Sequence, residues 1–365
     1  MTILHINPSC VAEKDYDGNL PLIVAIEQEE SAAVIGSLLA LSLPMDLDGN
    51  FKEFPGGSYC WIYVLTQTND KYVEAVVHVL NTFVKDMNHI VKISALTDEF
   101  GRKALDVATP RCRRAILSTM YFLGRYELKD GPPEHKSATC LVHVAIDRDN
   151  ADMPVALKLM RWRSQYLREL QSRSECSFDG DFVLGIIRDY DGDKDSSFGE
   201  ELTRKGYGWY RYCIVMPAAE RNLAGVMAHE HIAGKDWKKI RQATEELCEC
   251  IVHIQSKGMI HGDIKPLNIV RESGRIKLLD LDACVSFQKG DFCGAKFSSA
   301  YLPPEMVHCD LVKLSATVKS FQIEEDTGKI LKEDSAVFDL MVAAPSMDAW
   351  ALGVTSFELC TGEVV

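Results

Sequence analysis

The chain has 365 residues, 47% of them hydrophobic, with a formal net charge of -13 and a pI near 5.3; that is material for two domains, each with its own core. The acidic balance, without a cluster of Lys and Arg, argues against a binder of nucleic acid or of anionic membranes. No stretch reaches the length of a membrane span and Met1 to Pro8 carries no basic, then apolar, leader, so the protein is expected to be soluble and cytoplasmic, its twelve cysteines reduced thiols.

Residues 1 to 122 read as a helical repeat region. Asp17-Gly18-Asn19-Leu20-Pro21 is a turn leading into an apolar helix through Leu22, Ile23, Val24 and Ala25, and Val34, Ile35, Leu38 and Leu39 carry a second. The pattern recurs at Cys60 to Leu65 with Val73, Val76, Val77 and Leu80, and at Gly101 to Ala108 with Cys112, Ala115 and Ile116. The equivalent positions Leu22, Ile62 and Leu105 stand 40 and 43 residues apart. This resembles ankyrin repeats, and the resemblance implies a stacked helical array with a concave face for a protein partner. The plainer reading is a helical domain without a partner. Asp46 to Asn50 resembles the start of a calcium loop but lacks the later acidic ligands, so a turn is expected.

Beyond that region the periodicity changes. Tyr126-Glu127-Leu128, Cys140 to Ala145 and Pro154 to Met160 read as strands, and Lys158 emerges from the apolar third one. A helix follows with Glu169 inside its pattern and Glu175 at its frayed end; Asp189 to Gly208 reads as a polar loop without chemistry, and Tyr212 to Met216 as a buried strand running into Pro217-Ala218-Ala219. Asp236 is a helix N-cap, and Trp237, Ile240, Ala243, Leu247, Ile251 and Ile254 form one apolar face until Gly258 ends the helix. Cys248, Cys250 and His253 offer metal-ligating atoms, but all lie on that helix and read as core or surface groups.

The helix delivers His261-Gly262-Asp263-Ile264-Lys265-Pro266-Leu267-Asn268, and a hairpin turning at Ser273-Gly274 brings Asp280-Leu281-Asp282 back beside it. A carboxylate, a lysine two residues on and an asparagine five residues on, all facing one centre, are the layout that phosphoryl transfer needs. Asp263 would orient the attacking hydroxyl, Lys265 would neutralise the transferring group, and Asn268 with Asp280 would hold Mg²⁺.

These motifs resemble the catalytic loop and metal-binding motif of eukaryotic protein kinases, and Val155-Ala156-Leu157-Lys158 resembles the family's V-A-I-K strand. The resemblance implies an α+β, bilobal kinase-like domain over 123–365, with an N-lobe at 123–219, a partial C-lobe at 220–365 and an insertion at 306–347. It implies ATP and Mg²⁺ as cofactors, Lys158 on the α- and β-phosphates with Glu169 as its partner, Gly131 in the phosphate loop, and adenine held at Met216, Pro217 and Ala219. A protein substrate follows, with Lys265 and Ser298 favouring a Ser/Thr acceptor. The alternative is a pseudokinase scaffold that binds partners through the repeats.

The sequence departs from the family in several places. The phosphate-loop interval, Gly131-Pro132-Pro133-Glu134-His135-Lys136-Ser137-Ala138, keeps one glycine and carries two prolines. Gly262 replaces the arginine that would receive a phosphorylated activation loop, whose stretch from Ala283 to Phe297 holds one hydroxyl residue, Ser286. Asp282 replaces the glycine of D-F-G. Ser298 to Glu305 resembles the segment ending in A-P-E, with Glu305 expected to meet an arginine, and 43 residues then separate Glu305 from Asp348-Ala349-Trp350-Ala351-Leu352-Gly353. Within that link Ile323 to Ile330 reads as a hairpin. Kinase lobes continue through further helices, so the chain is expected to be a fragment or a truncation with Phe357, Leu359 and Val364 left exposed.

Overall fold

The structure, a computed structural model, describes residues 13, 15–28, 30–41, 64–65, 72–73, 76–77, 97, 100–310, 315–324, 330–331 and 339–364. The chain divides into two compact units, Met1–Leu128 with Asp147–Ala151, and Lys129–Ile146 with Asp152–Val365. The expected calcium-like turn at 46–50, Ile62 and Leu80 lie outside the described residues.

In the first unit, Pro21 opens the helix Pro21–Glu27, where its missing N–H costs nothing. Ser31 accepts from the Val34 N–H at the start of Ala32–Leu41, and Thr109 caps Pro110–Met120 through the Cys112 N–H. Leu22, Ile35, Leu39, Val64, Leu65, Val76, Ala104, Cys112 and Ile116 share one buried cluster. Hydrogen bonds to backbone carbonyls join the three sequence segments in order. The Tyr72 hydroxyl donates to the Ile26 carbonyl at 3.2 Å, and the Thr109 N–H donates to that of Leu65 at 2.8 Å.

The second unit mixes strands and helices. Its main sheet runs Cys140–Asp147, Met153–Met160, Tyr212–Pro217, Arg188–Asp191, with His135–Lys136 beside Cys140–Asp147. Register places Lys158 opposite Ile214 and Asp189 opposite the same residue on the other side. The helix Trp237–Ser256 packs against the strand Arg275–Leu278 and the helix Pro345–Thr361, and its Ile240, Leu247, Cys250, Ile251 and Ile254 are buried. Each such side chain contributes about 1.5–3 kcal/mol. Asp236 caps the helix by accepting from the Lys239 N–H at 3.1 Å. Trp237, which the spacing assigns to the apolar face, is exposed because it sits in the first turn, beyond the core. The hairpin pairs Ile269–Glu272 with Arg275–Leu278 around Ser273-Gly274, both at positive φ.

Three expectations need correction. The stretch 189–208 is ordered: Arg188–Asp191 is the edge strand of the sheet, and Ser196–Arg204 is a helix that buries Phe198, Glu201 and Leu202. Polar composition concealed it, since an edge strand needs one buried face, and the helix exposes most of its surface. Leu359 is buried in the core of the second unit, whereas Phe357 and Val364 are exposed. Glu305 is exposed and makes no ion pair among the described residues; it is Glu358 that is buried, accepting from the Tyr301 hydroxyl at 2.9 and 3.0 Å. The inserted hairpin is present, with Ile323 opposite Ile330. Among the described residues no helix is long and apolar enough to cross a membrane.

Asp195 accepts from the N–H groups of Ser197 and Phe198 at the start of the 196–204 helix. Asp195→Ala is expected to cost about 1 kcal/mol and to speed amide exchange across Ser196–Arg204, measured by hydrogen exchange with mass spectrometry; unchanged exchange there would contradict the capping assignment.

Candidate active site

Asp348 fixes the loop. It is buried near the N-terminus of the helix Pro345–Thr361 and accepts the His261 N–H at 2.7 Å and the Gly262 N–H at 3.0 Å. Burial pushes its carboxyl up, against the pull of His261 and of those two N–H bonds. His261 Nε2 meets the Leu279 carbonyl at 3.0 Å, while Nδ1 accepts from the Asp263 N–H at 3.3 Å; these partners select the Nε2–H tautomer. Gly262 has φ +76°, and a Cβ there would stand 2.7 Å from the Ala283 carbonyl oxygen. An arginine does not fit this backbone, which gives the departure at Gly262 a local steric cause.

The loop side chains converge on Asp263. Lys265 Nζ lies 2.9 Å from Asp263 Oδ2 and donates to Ser298 Oγ at 2.7 Å. Ser298 in turn donates to Asp263 Oδ1 at 2.7 Å. The Asn268 amide nitrogen donates to the Asp263 carbonyl and to Oδ2, at 2.8 and 3.0 Å. That turns the Asn268 oxygen away from Asp263 and leaves it as an acceptor. A cleft lined by Asp263, Lys296, Phe297, Ser298, Tyr301 and Met306 opens alongside.

Lys158 is buried, with Nζ bonded to Asp280 and 3.4 Å from Glu169 Oε2. Burial disfavours its charge, but Asp280, Glu169 and Asp282 outweigh that and hold the lysine above its ordinary range. Burial likewise opposes ionisation of Asp280, and the Lys158 and Lys296 ammoniums overcome it to hold the carboxyl well below the carboxylate range. Glu169 is buried and also accepts from Arg173 at 2.8 Å, whereas Glu175 is exposed and pairs with Lys289. Helix Arg163–Cys176 is tied to the segment after Asp280 by Gln165 on Asp282 Oδ2 (2.6 Å), Arg168 on the Asp282 carbonyl (2.9 Å) and Ser172 on the Leu281 carbonyl (3.3 Å). The unusual backbone angle falls on Asp280, at φ +69°, which Asp tolerates better than most residues.

Two residues enter the centre that sequence reasoning did not single out. Lys296 bonds Asp280 and lies 2.6 Å from Asp282 Oδ1 and 3.7 Å from Asp263 Oδ2. Asp282, read only as a lost glycine, closes a group with Glu169 and Asp280 whose ligand oxygens lie within 4.8 Å of one another. Burial, and then Asp280, push the Asp282 carboxyl up, with Lys296 and Lys158 pulling the other way. The carboxylate of Asp282 was visible as an oddity of the motif; nothing in the sequence marked Lys296.

Gly131, the expected phosphate-loop glycine, lies before the turn of the first hairpin. The turn joining His135–Lys136 to Cys140–Asp147 is Ser137 to Cys140, closed by a Ser137 N–H bond to the Cys140 carbonyl at 2.9 Å, and Ser137 Oγ accepts from the N–H groups of Thr139 and Cys140. Gly131 precedes that hairpin and is exposed. Met216 is buried, and the Ala218 N–H is used by the Pro154 carbonyl at 3.1 Å. Pro217 has no N–H, so the Ala219 N–H is the remaining backbone donor of that segment. Ser286 is buried, bonded to the Gly258 carbonyl and to the N–H of Lys289. Cys250 is buried against the Ile276 carbonyl, and His253 accepts from the Asp179 N–H, so neither faces a shared ion.

A model of the family described as protein kinase domain matches residues 196–320. Over 79 residues the chain is 34% identical to the probable serine/threonine-protein kinase mkcF of Dictyostelium discoideum, covering 21% of this chain and 12% of that protein. A second probable serine/threonine-protein kinase of that organism is 32% identical over 126 residues, 33% of this chain and 18% of its own. Mitogen-activated protein kinase kinase 10 of Arabidopsis thaliana is 27% identical over 100 residues, 27% of this chain and 32% of its own. The matched part is thus less than a third of each relative's length. Together these similarities support a protein kinase domain in the matched part of the chain. Gly131, Lys158 and Glu169 precede the family match, and the geometry above is what connects the last two to Asp280.

Asp348→Ala leaves two buried N–H groups without acceptors and is expected to lower stability by roughly 2–5 kcal/mol, read as a fall in the urea midpoint. Asp348→Asn keeps one acceptor and should lose about half of that. Equal midpoints for both variants and the parent chain would remove Asp348 from its anchoring role.

Proposed function

We propose that this chain is a protein serine/threonine kinase that transfers the γ-phosphoryl of ATP to a protein hydroxyl. The observation that carries the reading is the convergence of Asp263, Lys265, Asn268 and Ser298 within hydrogen-bonding distance of one another, with Asp280 joined to Lys158 on the opposite wall.

The donor set fits a magnesium nucleotide. Asp280 and the Asn268 amide oxygen are hard oxygen ligands of the kind Mg²⁺ prefers, and Lys158, already charged and held by two carboxylates, fits the nucleotide phosphates. The bound ion would neutralise charge on the transferring group. Asp263 positions the acceptor hydroxyl and takes up its proton, Lys265 places a positive charge beside it, and Ser298 holds both side chains in register. The Ala219 N–H and the Pro217 carbonyl would receive the adenine edge, with Met216 behind them. The turn Ser137 to Cys140, lacking glycine, gives the phosphates fewer approaching N–H groups than a glycine-rich loop, so Lys158 and the metal carry more of the binding.

Ser298, bonded to Asp263 and Lys265, favours a Ser/Thr acceptor, and a small cleft at Phe297, Tyr301 and Met306 opens beside it. The buried cluster that links three helical segments of the first unit favours ankyrin-like repeats with a protein partner. The pseudokinase reading is favoured by one observation, the crowding of Asp280 by Lys296 and Asp282.

The test is transfer of labelled γ-phosphate from Mg²⁺-ATP to the chain itself and to a mixed Ser/Thr protein substrate. Asp263→Asn is expected to reduce transfer by about 10²–10⁴-fold while leaving nucleotide affinity unchanged, whereas Lys158→Met should weaken both. If the folded parent chain transfers nothing above Asp263→Asn, the catalytic reading fails and the scaffold reading stands.

A further inference from the structure

We propose that Lys296 is a tethered counter-ion: its ammonium occupies the place of a divalent cation between Asp280 and Asp282, and metal enters only by displacing it. The inference rests on the kinase reading for the identity of the ion, and on the contacts of Lys296 for everything else.

Four carboxylates, Glu169, Asp263, Asp280 and Asp282, are gathered here around three ammoniums, Lys158, Lys265 and Lys296. Lys158 is shared between Glu169 and Asp280, and Lys265 belongs to Asp263 and Ser298. Only Lys296 spans the oxygens of Asp280 and Asp282, at the edge of the Glu169–Asp280–Asp282 group that could hold an ion. Without it, among the described residues the Asp282 carboxylate keeps one hydrogen bond, from the amide of Gln165, and Asp280 keeps Lys158. Two neighbouring carboxylates, one of them buried, that share the single ammonium of Lys158 are costly, so a second cation between them is favoured. Lys296 and a divalent ion cannot both occupy the space between the same oxygens.

The backbone delivers the lysine to that position. Phe292–Cys293 pairs with Met341–Val342. Gly294, at φ +110°, lies where a Cβ would come 2.8 Å from the Lys319 carbonyl oxygen, and its own carbonyl accepts from Phe321 at 3.3 Å. Two residues beyond Lys296, Ser298 is bonded to Asp263 and Lys265. The lysine is therefore held from both sides, and its long stem allows the head to withdraw without unpairing either anchor. Asp282 and Lys296 belong together: the extra carboxylate at the glycine position supplies the second arm that seats the ammonium.

The test is a titration of the full, nucleotide-free chain with Mn²⁺, with free ion followed by electron paramagnetic resonance. Lys296→Met is expected to bind Mn²⁺ at least about tenfold more tightly than the parent, since a unit positive charge is removed from the ion's own site. Lys296→Arg should stay as weak as the parent. Equal affinity in Lys296→Met and the parent overturns the proposal. If Lys296→Met does not fold, the parent decides: saturating Mn²⁺ should raise acylation of Lys296 by an amine-reactive reagent several-fold, mapped by mass spectrometry, and unchanged acylation overturns it. Neither measurement involves phosphoryl transfer, so an inert chain would defeat the kinase reading and leave this one standing.

Discussion

The structure depends on the neutralisation of Asp280. Its carboxylate is partly buried, with 15% of the side chain exposed, and two ammoniums, from Lys158 and Lys296, keep it charged. Each of those groups comes from a different part of the chain, the strand Met153–Met160, the end of the hairpin Ile269–Leu278 and the segment after Cys293. None could be buried alone, because an unpaired charge in a low-dielectric interior costs several kcal/mol. Glu169 joins the same network and brings the helix Arg163–Cys176 with it. The charges thus add a polar fastening beside the apolar cluster of Met160, Tyr166, Val270 and Leu279 that joins the same elements.

A second constraint is steric. The His261–Asp263 backbone runs so close to Ala283 that only glycine fits between them, and Asp348 supplies acceptors to two N–H groups that the tight path would otherwise leave bare. The loop is consequently rigid before any ligand arrives. Rigidity of this kind suits a site whose chemistry is mostly positioning, where displacement of a proton acceptor by an ångström is expensive.

Much of the second unit was legible in its residues. The Trp237–Ser256 helix, the hairpin and the apolar strands were readable because their periodicities are clean and their ends carry Asp236, Gly258 and Ser273-Gly274. The grouping of Asp263, Lys265 and Asn268 was readable because these residues are local. The polar stretch 189–208 was not readable, since its strand borrows stability from a neighbour and its helix exposes most of its surface. Gly131 was expected in the phosphate loop from the family resemblance alone; the position of the neighbouring turn, Ser137 to Cys140, is set by register with Cys140–Asp147, which no local pattern shows.

The sequence by itself determined which residues could do chemistry and which local elements carry them, because helix and strand periods, caps and turns act over a few residues. Only the tertiary structure decided that Lys296 enters the carboxylate cluster, that Asp282 faces it, and that Glu358 rather than Glu305 is the buried glutamate. Those outcomes depend on charges far apart in the chain meeting in a space from which water is excluded, and no local pattern encodes which distant partner balances a buried charge.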